Sequence, residues 1–496
     1  MGIKRYTAIA DNTITNQYGE ALSKRSTSAN AGLADSMEIF KIYGQVTNTS
    51  IEESRILIKF PINETTLPAN VKTIKQDRDA NIIPAAGAVN FYMKLSDVRH
   101  SDTVPKNFKL VAHPLSESWT EGLGLDLDEY SDIGQSNWLS ASSAAAWGVT
   151  GSAFNSSLVY QQEFDTGLED FEVDVTAFVE GILGSSINSG NNYGLAVKLS
   201  SSYLADANSY YTKKFSARTS EYFFQRPIIE ARWNSSVKDD RRNFYYSSSL
   251  APAADNLNTI YLYNNIGGRL QNIPAVGTGK VYVQLYQSSA SAPTGAVLTP
   301  VEDGSHVLNA APTVVTGGYV STGVYSASVA MTGTADTLHD VWFKSSSQFM
   351  TGTLYPETRS LEQSTRTNDY YASPTNLKST YSNKETARIR IYSRLKGWSP
   401  TIYSKAVSEP QLYIPTSGSY EIIRIIDNYK VVEHATGSIK HTELSFDGSG
   451  SYFDFDMSML EPGYSYGIKL AFYDDFISGY KPLKEVFKFR VEKHET

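Results

Sequence analysis

The sequence predicts an all-β chain of antiparallel sandwiches in tandem, and three observations predict it. Short runs alternating apolar and polar residues recur along the whole chain between Gly, Pro, Asn and Ser clusters, with almost no helical period and no βαβ alternation. The 33 Tyr and the abundant Ser and Thr favour strands over helices. A chain of 496 residues exceeds what one hydrophobic core holds, so it divides into several domains.

The first unit is expected over residues 1–234. Its strands read at 7–15 (TAIADNTIT), 37–43 (MEIFKIY), 55–60 (RILIKF), 89–95 (VNFYMKL) and 108–113 (FKLVAH). In the third of these, Ile56, Ile58 and Phe60 face one way and Arg55, Leu57 and Lys59 the other. A long irregular excursion from Ser116 to Tyr160 holds Trp119, Trp138 and Trp147. Strands resume at 159–164 and 171–175, a short helix is expected across 175–183, and 193–199 leads to the stretch KKFSARTSEYFFQRPIIEARW at 213–233. That stretch reads as two antiparallel strands, the second opened by Pro227 and closed by Trp233.

A polar linker is read at 235–258. A β domain at 259–356 follows, with clear alternation in TIYLY and KVYVQLY, turns marked by Gly317, Gly318 and Gly323, and strand spacing that suits an immunoglobulin-like sandwich. Residues 357–386, rich in Ser, Thr, Asn and Tyr, read as a linker or extended arm. An immunoglobulin-like or fibronectin-like domain closes the chain at 387–496, where Pro462-Gly463 turns the chain and Tyr464 or Tyr466 can fold back as a tyrosine corner.

The order NAGLADSMEIF, SRILIKFP, LSESWTEG with NW beyond it, FEVDVTAFVEG, NNYGLAVKL, FSAR and RPIIEARW resembles the DNRLRE domain over residues 1–234. The resemblance implies a jelly-roll sandwich, similar in shape to carbohydrate-binding modules and common in cell-surface and phage structural proteins. The chain departs from that pattern in its signature, FSARTSE, and in the enlarged loop after Trp119, so an inherited ligand-binding role does not follow from the fold. Residues 235–496, with RIYSRLKGWSPTIYS and LEPGYSYGIKLAFY, resemble the C-terminal part of virion structural proteins of marine tailed phages.

Candidate chemistry is sparse. Glu121, Asp126, Asp128, Glu129 and Asp132 cluster after Trp119, a set that serves a glycosidase or a Ca²⁺ site if it flanks a cleft and a solvated acidic loop if it does not. Asp447, Asp454 and Asp456 invite the same pair of readings beside a Gly-rich hairpin. The seven His are scattered without metal spacing, no GxSxG occurs, TGKVYV at 278–283 lacks the ends of a phosphate loop, and zero Cys excludes thiolate chemistry. Trp119, Trp138 and Trp147 form either a sugar-stacking platform or core packing beneath the excursion.

The expectation is therefore no enzyme and no cofactor. A net charge of −8 without Lys/Arg clusters argues against nucleic acid as a partner, and no apolar run of bilayer length points to a membrane. The N-terminal MGIKRY lacks the apolar stretch of a secretory signal, so the expected localisation is a virion assembled in a host cytoplasm. Two function classes follow. One is a structural virion component (neck, collar, fibre or head decoration) bound to other virion proteins as a homo-oligomer, with Phe244, Tyr245, Tyr370 and Tyr371 as apolar assembly anchors. The other is an adhesin whose N-terminal domain holds a host-surface glycan.

Overall fold

The computed structural model describes residues 2–494 apart from 69–70, 128–130, 133, 288–294, 303–304, 360–368, 399–411 and 475. The fold is all-β, and its only α-helices among the described residues are three short ones. The chain divides into two compact units, one made of residues 2–234 with 438–441, the other of the remainder from 235 onward.

In the N-terminal unit the strands are β1 (Ile3–Thr7), β2 (Ala10–Thr15), β3 (Ser36–Tyr43), β4 (Ile51–Lys59), β5 (Asn90–Leu95), β6 (Phe108–Pro114), β7 (Ser140–Ser142), β8 (Ala145–Ala146), β9 (Tyr160–Phe164), β10 (Phe171–Asp174), β11 (Leu195–Leu199), β12 (Tyr210–Ser216) and β13 (Ile228–Arg232). A four-stranded sheet in the order β1-β13-β5-β10 faces a seven-stranded sheet in the order β12-β3-β4-β11-β6-β9, with β2 also paired to β4. The two-residue alternation fills the space between them. Ile56, Ile58 and Phe60 enter one core with Met93, Leu110, Val197, Phe215 and Ile229, while Leu57 points to the opposite face. The expected helix forms at Thr176–Leu183 and packs Phe178, Val179 and Ile182 onto that core.

The closing stretch differs from its reading as an antiparallel pair. β12 joins β3 in the seven-stranded sheet, and β13 lies between β1 and β5 in the other. Both strands bury their alternate residues, so the chain between them crosses the core rather than turning back. Lys213 on β12 is buried, and its three ammonium protons are taken by Asp97, Gly167 O and Glu169 O. Trp233 N donates to Gly2 O at 2.8 Å, so the last strand closes against the first.

In the C-terminal unit residues 258–354 form one continuous antiparallel sheet folded on itself. The strand Ala311–Ser321 pairs with Val281–Tyr286 through Val315 to Gly317 and with Val324–Val329 from Gly318 onward. The glycine pair is therefore the corner of the fold. A Cβ at Gly317 would sit 2.6 Å from Ser326 O. Ile260, Val283, Tyr325, Leu338 and Trp342 from both halves meet in one core. The last sandwich stacks a four-stranded sheet on a second sheet, with Tyr420 and Phe453 rings 4.1 Å apart between them. Its tyrosine corner is Tyr466, fully buried, whose hydroxyl donates to Glu461 O at 2.7 Å.

Neither stretch read as a linker is a loose connection where it is described. Residues 237–239 pair with the last sandwich: Phe446 N donates to Val237 O at 2.9 Å and Asp239 N to Phe446 O at 3.1 Å. Residues 240–246 pack on the folded sheet, with Asp240 N donating to Thr259 O at 2.9 Å and Phe244 in its core. Arg241 forms a bidentate pair with the fully buried Asp340 at 2.7 Å and 2.7 Å, lying so close over Gly352 that any Cβ there would collide with it. In the second stretch Tyr370–Pro374 is an edge strand of the last sandwich, and Thr380–Ser382 runs parallel to Phe487–Glu492.

Candidate functional site

The outer face of the seven-stranded sheet is where the N-terminal unit departs from a bare sandwich. The excursion after β6 packs against this face. Trp138 and Trp147, each 6% exposed, pack with Ile14, Leu57, Leu115 and Ala196, and the half-buried Trp119 joins them at the side. Trp147 Nε1 donates to Asn137 O at 2.7 Å and Trp119 Nε1 to Tyr193 O at 2.8 Å, while the Arg55 guanidinium lies 4.7 Å from the Trp138 ring. These rings are a second core, and their faces are not offered to a sugar. The glycan platform read at Trp119, Trp138 and Trp147 is corrected accordingly. The sheet needed a cover because β2, β4 and β11 place apolar residues on both faces.

The acidic cluster is likewise part of the fastening. Asp132 is buried and accepts from Asn30 Nδ2 at 3.0 Å and Leu123 N at 2.8 Å. Asn30, with no exposed surface, also accepts from Gly124 N at 2.9 Å, and a Cβ at Gly122 would fall 2.0 Å from its side chain. The glycines of EGLGLD are thus the cradle of one asparagine. Glu121 accepts from Asp11 N at 2.8 Å and holds the Arg218 guanidinium at 2.7 Å and 2.5 Å. Glu121 of WTEG and Arg218 of FSAR, residues of two separate motifs, therefore meet as partners. Burial pushes the neighbouring Asp11 carboxyl up to about 7, against the pull of the Arg218 N–H that donates to it. Asp128 and Glu129 lie outside the described residues.

Asp126 borders a groove. This groove, of about 390 Å³, lies between residues 125–127 of the excursion and the outer face of β3 and β12. Because Met37, Ile39 and Lys41 point inward, β3 turns Glu38, Phe40 and Ile42 out to form its floor. Tyr211 of β12, half exposed, adds an aromatic side, and Gln17 Nε2 donates to Leu127 O at 2.7 Å to hold the wall at 125–127. Asp35 and Asp126 stand at the rim. Glu38 is paired across the strands with Lys214 at 2.9 Å. Carboxylates, an amide and an exposed ring around a partly apolar floor can hydrogen-bond and stack on a neutral polyhydroxyl ligand, and they repel anions. Reading by strand and motif missed Glu38, Phe40 and Tyr211, whose only signal is that they alternate away from the core.

The remaining candidates have structural roles. Asp447 pairs with Arg390 at 3.0 Å and 2.9 Å, Asp454 with Arg388 at 2.7 Å and 2.9 Å, and Asp456 accepts from Ser458 N at 2.9 Å. No group of three His, Asp or Glu among the described residues could hold a metal ion. Phe244 is fully buried in the core of the folded sheet and Tyr370 packs between Tyr413 and Phe472, so neither side chain is presented to a neighbour. Tyr245 is half-buried beside Glu357 with the Arg359 guanidinium 5.3 Å from its ring. Tyr371 is exposed and lies 5.1 Å from Arg394.

No family model matches the chain, and no curated protein matches it. Among solved structures it is similar to the Yersinia pseudotuberculosis adhesin InvE, at 11% identity over 47% of this chain and 59% of that one, with a TM-score of 0.14. It is also similar to the trypsin-activated alpha-2-macroglobulin of Escherichia coli, at 9% identity over 88% of this chain and 24% of that one, with a TM-score of 0.16. The chain spans less than two thirds of either protein, and likeness at these scores carries no argument about its role. No helix among the described residues is long and apolar enough to cross a membrane.

Proposed function

We propose that this chain is a structural component of a tailed-phage virion, a neck, collar, fibre or head-decoration protein that works through contacts with other virion proteins and without catalysis or cofactor. The observation that carries the reading is the fastening of residues 236–246 into both sandwiches of the C-terminal unit. Ser236 and Lys238 bond the buried Glu443 at 3.1 Å and 3.0 Å, and Arg241 bonds Asp340 in the folded sheet. A connection of that kind makes two sandwiches one stiff block, which suits a spacer and serves no evident chemistry. Of the acids flagged for catalysis, Glu121, Asp132, Asp447, Asp454 and Asp456 hold loops and strands, and the resemblance of residues 235–496 to virion structural proteins agrees with this reading. Mass spectrometry of gradient-purified particles tests it: the chain is expected in fixed proportion to the other structural proteins, and its absence sinks the reading.

The groove favours a second reading, a carbohydrate-binding adhesin that holds a neutral host-surface glycan between Tyr211 and the rim carboxylates. Binding of purified protein to a glycan array, lost in Tyr211→Ala with the fold intact, is the expected sign. Glycan degradation by the same protein, with or without Ca²⁺, would count against both readings.

A further inference from the structure

We propose that the open edge of the strand Ser347–Leu354 pairs with the same strand of a second copy of this chain, so that one sheet runs through both copies. The inference rests on the reading that the chain works through protein contacts. The strand pairs with Leu338–Lys344 on one side. On the other side none of its backbone groups bonds to any described residue. Such an edge presents a row of N–H and C=O groups that only another strand pairs in full.

Among the described residues the other longer sheet edges are guarded. At the far end of the same sheet, Asn258–Tyr263 is capped by Asp240 N donating to Thr259 O at 2.9 Å and by Arg241 Nη2 donating to Tyr261 O at 2.9 Å. In the N-terminal unit β1 carries Lys4 and Arg5, β9 Glu163, β10 Glu172 and Asp174, and β12 Lys213 and Lys214. In the last sandwich Lys430–Val432 and Ser445–Asp447 have three residues each, and Tyr370–Pro374 ends in proline. Ser347–Leu354, SQFMTGTL, has eight residues, no charge and no proline.

What fits this edge is its own copy. The register with Leu338–Lys344 slips at Phe349, which leaves Met350 to Leu354 as the regular part. Antiparallel pairing about a two-fold axis through Gly352 sets Thr351 opposite Thr353 on one face, twice, and Met350 opposite Leu354 on the other. Threonine meets threonine, apolar meets apolar, and no like charges face each other. A charged edge finds no counter-charge here.

Sedimentation equilibrium of the purified full chain tests the pairing. The intact chain is expected as a dimer. Thr351→Lys with Thr353→Lys, which sets lysines directly opposite each other, is expected as a monomer with unchanged circular dichroism, as is Thr351→Glu with Thr353→Glu. Mixing the two variants should restore a dimer. A monomeric intact chain, a dimeric lysine variant, or a mixture that stays monomeric overturns the proposal; the last outcome assigns the edge to a different occupant. Should the variants unfold, hydrogen exchange of the intact chain decides: protection of the 350–354 amides must rise with protein concentration, and protection independent of concentration overturns the pairing. Absence of the chain from particles would sink the virion reading and leave a dimer in solution standing.

Discussion

The excursion from Ser116 to Tyr160 and the segment at 236–246 both read as irregular in sequence, yet the balance of what holds them differs. Polar pins and a tryptophan plug hold the excursion. Asn30, Asp132 and Asn137 bond its backbone, and Trp138 and Trp147 fill the space beneath. The segment is held by backbone bonds to both sandwiches, by the ion pairs Arg241–Asp340 and Lys238–Glu443, and by Phe244 in the core of the folded sheet. Net hydrogen bonds are worth about 1 kcal/mol each, so loss of a single polar pin should loosen the excursion only locally, whereas removal of Phe244 or of half the Arg241–Asp340 pair should cost the segment more.

That contrast can be broken first at Phe244. Phe244→Ala should lower the stability of the C-terminal unit by roughly 3–5 kcal/mol in urea unfolding, as for a buried phenylalanine. A change under ~1 kcal/mol would place the segment outside the core. Next, Asp340→Ala takes from the buried Arg241 guanidinium its bidentate partner, leaving the more distant Asp239, and deprives Trp342 Nε1 of its acceptor, a loss of about 3 kcal/mol or more. Adding Arg241→Met should recover much of it, and a double-mutant cycle with no coupling would deny that the pair acts as one element.

In the excursion, Asn30→Ala removes the links to both Asp132 and Gly124 and should cost about 1–3 kcal/mol. Hydrogen exchange should quicken in 120–137 and not in β4 or β11. Spread into the sheet would mean that the cover and the sandwich fold as a single unit.

The pH response sharpens the comparison further. Burial pushes the Asp239 carboxyl up to about 7 and that of Asp240 up to about 6, above the ordinary carboxylate value of 3.8. Acids raised in the folded state bind protons more tightly there, so their stabilisation is complete below about pH 4 and is lost as pH rises through about 6 to 7. The C-terminal unit should therefore weaken between those limits, and Asp239→Asn should flatten the curve. The smallest stability effect is expected at Tyr211→Ala, within about 0.5 kcal/mol for so exposed a side chain, although the same change should abolish any glycan binding.

The all-β architecture, the inward faces of the strand at 55–60, the helix after Val175 and the tyrosine corner were legible in sequence, because each depends on local alternation or on a turn followed by a fixed offset. The second core was only half legible. Trp138 and Trp147 announced a buried cluster or a platform, and the choice depends on whether Ile14, Leu57 and Ala196 come to lie beneath them, which the pairing of β2, β4 and β11 decides. Glu121 and Arg218 are 97 residues apart, and nothing in either motif says that one will hold the other. The groove was not legible, since it exists only because residues 125–127 come to lie beside β3 and β12. Phe244 and Tyr370 looked like anchors because an aromatic in a polar stretch has no local partner. Tertiary packing supplied one, as the apolar area of a ring is buried wherever the nearest core can take it. Local periodicity determines which residues turn inward; which surfaces remain outward for a partner depends on contacts between residues far apart in the chain, and only the folded chain brings those together.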